Sequence, residues 1–177
     1  WDILIGEMLA VYAEDTEEDA VTKLNTAVTQ TETVATDDYE GWIHGLYAAK
    51  SQVVTANGTK KPRIRRMPNT IYVSHDMDGA LGAMIDIHLA GNVNAIGSAS
   101  LSQFGGELLR TPRVMLPDLP TGTVIYGRKE AAEFYEQRVG LLQAIEPEVM
   151  GVKVSYGGYA SFGLIDPTLF VKLSVAP

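Results

Sequence analysis

The chain has 177 residues, of which 46% are hydrophobic and 20% charged, with a formal net charge of −8. That is enough for one ordinary domain or two small lobes, and the acidic balance gives no electrostatic reason to wrap nucleic acid. Cysteine is absent, which excludes disulfides and thiolate metal sites, and no apolar run approaches the length of a membrane span.

Residues 2–24 have a helical period. Ile5, Met8, Leu9, Tyr12, Val21 and Leu24 can share a face, while Glu7, Glu14, Asp15, Glu17, Glu18 and Asp19 occupy much of the rest. The pattern predicts a long amphipathic helix with one watered side. Nothing at its start resembles the basic beginning of a secretory signal, and Trp1 is read as a processing or trimming point within a longer parent chain. Residues 25–36 are rich in threonine and valine, which suits an extended segment or loop. Asp37 or Asp38 then caps a second helix to about residue 56, with Trp42, Ile43, Leu46, Tyr47 and Val53 or Val54 as its apolar stripe and Asn57-Gly58 as its stop. The basic loop 60–66 follows, broken by Pro62.

Residues 70–73 read as a short strand leading into a helix over 76–90, with Leu81, Met84, Ile85 and Leu89 on the buried side. The Gly/Ser/Asn-rich stretch 91–106 is too long for an ordinary connection. Strands are predicted over 113–116, 123–126, 139–145, 152–165 and 169–175, punctuated by Pro117, Pro120, Gly122, Pro147 and Pro167. One short helix is expected at 129–135. There are no internal repeats. This order predicts an α+β or mixed α/β fold, not a clean βαβ alternation.

The sharpest enzyme-like signal is the strand running into Asp76-Met77-Asp78-Gly79. It resembles the nucleophile motif of haloacid-dehalogenase-type magnesium phosphatases, where one Asp attacks phosphorus and the second works as acid and base. Ala80 stands where that family has threonine, and no later Asp-Asp pair follows. The favoured reading is structural: Ser74 or Asp76 caps the next helix. His44, His75 and His88 are not spaced as metal ligands on one helix face. Ser74-His75-Asp76 holds the residue types of a triad, but adjacent side chains cannot build its geometry. Gly105-Gly106 and Gly157-Gly158 sit in no phosphate-binding context, and the second pair reads as a bulge or bend in a strand. Lys60, Lys61, Arg63, Arg65 and Arg66 read first as a solvated loop, and alternatively as a partner for the acidic surface 14–19 of a neighbouring copy.

Residues 68–74 followed by a helix look like the central strand–helix step of tailed-bacteriophage major capsid proteins. The segment 113–127, RVMLPDLPTGTVIYG, resembles the strand–turn–strand of that family. Residues 131–137 and 163–173 resemble its closing part, a proline-marked turn and a final apolar strand with a lysine. The resemblance covers residues 66–175 well and the first helix more loosely. It implies a Hong Kong 97-type fold. Residues 1–36 would be the peripheral-domain spine helix and linker, 37–160 the axial domain, and 161–177 a return strand to the peripheral domain. The stretch 91–106 would be a loop near a capsomer axis.

The resemblance further implies a self-assembling structural protein, not an enzyme, with no catalytic, cofactor or metal residue and no cofactor. Its copies would form pentamers and hexamers closing into an icosahedral shell that encloses DNA without reading it. Scaffolding, portal or decoration proteins would be its other partners. No membrane is implied, and the protein would reside in the virion after assembly in the host cytoplasm. Family members carry an N-terminal arm and an extended loop before the spine helix; neither is found ahead of residue 2 here, and no cross-linking lysine is carried over. Encapsulin nanocompartment shells share this fold and are the nearest alternative. The phosphatase using Asp76 and Asp78, and a small-molecule module with its pocket under 91–106, are the alternatives of other classes.

Overall fold

The computed structural model of the chain describes residues 2–56, 67–91, 97–99, 106–108, 111–146 and 151–175. Helix α1, Asp2–Ala27, matches the first predicted helix and extends three residues past it. Only its C-terminal end enters the core, where Val21 and Leu24 are buried; the acidic residues 14, 15 and 17–19 are exposed. Strand β1, Thr31–Val34, forms within the threonine-rich stretch. Helix α2, Tyr39–Ala56, starts after Asp38. The Asp38 carboxylate accepts the Gly41 amide at 2.7 Å, so Asp38 is the cap. Asp37 instead accepts the indole N–H of Trp42 at 2.8 Å. Trp42, Leu46, Ala49 and Val53 are buried at helical spacing. Tyr47, placed in that stripe from sequence, is 52% exposed, because five residues from Trp42 turn it well off the buried face.

Strand β2, Thr70–Val73, runs into helix α3, His75–Gly91, and Met77 and Leu81 are buried. The side chains of Met84, Ile85, Leu89 and His88 lie outside the described residues, as do the Asn57-Gly58 stop and the basic loop 60–66. Within the stretch expected to be a loop stand two short strands, β3, Gly97–Ala99, and β4, Gly106–Leu108; the rest of that stretch after Gly91 lies outside the described residues. Then come β5, Thr111–Met115, and β6, Val124–Gly127.

The helix predicted at 129–135 is corrected. Lys129–Ala131 form one 3₁₀ turn, and the chain then enters the strand β7, Ala132–Glu146. Ala131, Ala132 and Glu133 favour helix locally, but β7 pairs along its whole length with β8, Gly151–Leu164, and that pairing overrides propensity. A second 3₁₀ turn, Pro167–Leu169, leads to β9, Phe170–Val175.

A seven-stranded mixed sheet, in the order β1-β9-β6-β2-β5-β4-β3, holds the core. β1 runs parallel to β9 and β2 parallel to β5; the other neighbours are antiparallel. β9 is covered on both sides by β1 and β6, and Phe170, Val171 and Leu173 are fully buried. Residues 161–177, read from sequence as one strand returning to the first helix, are therefore divided. Residues 161–164 finish the hairpin, and Phe170–Val175 joins the central sheet between β1 and β6. The physical reason is the apolar alternation of β9, which finds its cover between α2 and the sheet. The range 37–160 is likewise split, since β7 and most of β8 form a separate two-stranded ribbon lying on α1.

Candidate functional site

The two carboxylates of the Asp-x-Asp sequence take unrelated structural roles. Asp76, in the first turn of α3, accepts the Ser74 hydroxyl at 2.6 Å through one oxygen and the Gly122 amide at 2.8 Å through the other. It thereby ties the start of α3 to the turn before β6. The Ser74 hydrogen bond, more than any other influence, holds its carboxyl below the usual carboxylate range, with the Gly122 amide adding to the effect. Asp78 turns inward. Its Oδ1 lies 2.6 Å from Nε of Arg113 on β5, and both side chains are nearly inaccessible. This is a buried charge pair locking α3 to the sheet, with the Arg113 N–H not aimed along the short contact. Ser74 precedes α3 and its backbone carbonyl accepts the Asp78 amide at 2.9 Å, while its hydroxyl donates to Asp76.

His44 and His75 are exposed on separate helices. Among the described residues no three His, Asp or Glu side chains gather as metal ligands, and no described helix is long and apolar enough to cross a membrane. Gly157 and Gly158 lie in β8 opposite a register shift between Arg138 and Gly140 of β7, so the bulge expected there sits on the partner strand.

The surface of greater interest is built by α1 and the β7–β8 ribbon. α1 packs on β8, and the Tyr12 ring meets Tyr156 edge-on with centroids 5.3 Å apart. The Tyr12 hydroxyl fills the space where a side chain on Gly158 would begin. Because α1 covers β8 more than β7, apolar side chains of β7 stay open: Phe134 is 49% and Leu142 53% exposed. Tyr159 of β8 is 73% exposed. Six of the twelve exposed large apolar residues among those described lie on this ribbon, and Leu9 and Val11 of α1 add two more. By the ribbon register Phe134 lies on the side of α1 and Leu142 and Tyr159 on the opposite side, and apolar surface concentrated on one unit marks contact surfaces. The helical propensity of Ala131-Ala132-Glu133 hides the entry of β7, and no apolar alternation over 132–138 marks it as a strand.

No protein-family model matches this chain, and no curated protein matches it. Among solved structures, one from Mycobacterium phage Che8 matches with a TM-score of 0.69 at 15% identity, covering 93% of this chain and 60% of that one. One from Gordonia phage Cozz matches with a TM-score of 0.52 at 16% identity, over 85% of this chain and 51% of the other. The virus-like particle from Pyrococcus furiosus matches with a TM-score of 0.52 at 10% identity, over 89% of this chain and 61% of the other. The chain thus spans between half and three-fifths of the length of these structures. Its α+β fold is shared with these structures from two phages and a virus-like particle, in line with the fold class expected from the sequence.

Proposed function

We propose that this chain is the structural body of a phage major capsid protein, a shell subunit without catalytic chemistry. The observation that carries the reading is the shared fold with the Che8 phage structure over 93% of the chain. The exposed apolar side chains of α1 and of both sides of the ribbon support it, since a subunit that stays alone has little reason to expose Phe134, Leu142 and Tyr159. In the Hong Kong 97 arrangement, the seven-stranded sheet with α2 and α3 would be the axial domain. α1 with β7 and β8 would be the peripheral domain. Copies would form five- and six-membered capsomers that enclose DNA, and the net charge of −8 suits enclosure without gripping. Assembly would take place in the host cytoplasm, and scaffolding, portal or decoration proteins would meet the finished surface.

The engagement of Asp76 by Ser74 and Gly122, and of Asp78 by Arg113, gives both carboxylates work that leaves phosphoryl transfer unneeded. A nanocompartment shell is the second reading, favoured by the likeness to the virus-like particle. Velocity sedimentation of purified protein tests the proposal. Species at five or six subunit masses, or large closed particles, are expected; a single monomer boundary at every concentration would contradict it. Nuclease-protected DNA in particles from infected cells separates the viral shell from the nanocompartment.

A further inference from the structure

Two open grooves flank α1 on one side. One, of about 450 Å³, is lined by Glu7, Val11, Asp15 and Val154–Tyr156 backbone neighbours. The other, of about 330 Å³, lies further along, between Thr22, Thr26 and Phe162. Both are lined by α1 and β8 with no described β7 residue, and β8 pairs only with β7 among the described residues. Together the two grooves mark out a furrow between α1 and β8, a strand with one edge unpaired among the described residues. Its floor is apolar, with Val11 itself 55% exposed. Glu7 and Asp15 line the first groove, Glu14 and Glu18 stand on the same helix at helical spacing from Glu7, and all four are exposed. Among the described residues none of these four has a cation within ion-pair distance.

The chain's cations are distributed unevenly. Five of its 14 Lys and Arg residues fall in the seven-residue segment Lys60-Lys61-Pro62-Arg63-Ile64-Arg65-Arg66. Extended, seven residues reach about 23 Å, close to the roughly 22 Å that α1 rises from Glu7 to Thr22. The segment combines five positive charges with one branched apolar residue, Ile64, which matches an apolar floor with an acidic rim. We propose that the furrow between α1 and β8 receives the basic segment 60–66 of a second copy of this chain. This rests on the self-assembly reading and names the surface and the partner segment that assembly uses. A free strand edge accepts an extended chain through its backbone, and opposite charges fix its direction and speed its capture.

Zero-length carbodiimide cross-linking tests this on an equal mixture of light and ¹⁵N-labelled protein at a concentration where it self-associates. The docking predicts links from Lys60 or Lys61 to Glu7, Glu14, Asp15 or Glu18 that join a light chain to a heavy one. Self-association without mixed-isotope links at these positions, or with links confined to one isotope, overturns the docking and leaves the shell reading in place. A monomer at every concentration overturns both. As a second measurement, R63E/R65E/R66E and E7K/E14K/E18K should each weaken association roughly tenfold or more at low salt, and mixing the two variants should restore it. Circular dichroism checks that both fold. Failure of the mixture to recover association would also sink the proposal.

Discussion

At the residue scale, the two aspartates of one short sequence differ in consequence. Removing Asp78 strips a buried guanidinium of its carboxylate, so Asp78→Ala should cost about 3–5 kcal/mol in urea unfolding. Asp76→Ala deletes two hydrogen bonds at the surface and should cost only about 1 kcal/mol. An equal loss in both variants would contradict these assignments. The depressed Asp76 carboxyl also has a pH signature. A group whose pKa is lower folded than unfolded contributes stability above its unfolded value, and that contribution is lost as pH falls through the folded value. Acid titration of wild type against Asp76→Asn should therefore show the curves converging below the ordinary aspartate range, with the wild type the more stable above it. Glycine at two positions is dictated by neighbours: a Cβ on Gly127 would overlap the Phe170 ring across the β6–β9 pair, and one on Gly158 would overlap the Tyr12 hydroxyl. Gly158→Val should lift α1 from the ribbon while leaving the central sheet intact, read as loss of amide protection in β8 without loss in β9.

At the scale of elements, β9 is deeply held at its start. Leu169, Phe170, Val171 and Leu173 are buried, and the Lys172 ammonium reaches the Asn25 carbonyl at the end of α1 at 3.0 Å. A cation at a helix C-terminus is favourable, so Lys172 fastens the sheet to α1. Amides of Phe170–Val175 should be among the slowest to exchange with deuterium; fast exchange there would contradict the packing. Residues 163–168, which lead into β9, alternate between half-buried and exposed, and Ile165 is 61% exposed.

How far the elements were legible follows from where their signals lie. α1, α2, β2 and the start of α3 announce themselves through helical periodicity, an aspartate cap and β-branched runs, which are local. The β7–β8 ribbon was half legible: β8 reads as a strand, but the Ala-Ala-Glu entry of β7 has helical propensity and becomes a strand only through its partner. The placement of β9 beside β1 depends on contacts more than 130 residues apart, such as the Lys172 amide on the Gln30 carbonyl, which no local pattern encodes. The furrow between α1 and β8 was invisible for the same reason, although the acidic rim and the basic segment that we propose it binds were both plain in the sequence.

At the scale of the molecule, the central sheet closes its own core while the α1–ribbon unit leaves its apolar surface open. A shell subunit needs this division: a body stable alone and a face completed by neighbours. Because the proposed contacts set acidic helix against basic segment, association should weaken as salt is raised from about 0.05 to 0.5 M, where exposed charges are screened. Negative-stain imaging of the protein at rising concentration, with particle mass from light scattering on the same samples, tests the shell reading most directly. The account predicts rings of five or six subunits or closed particles built from them. A population that stays monomeric across the whole series would contradict it.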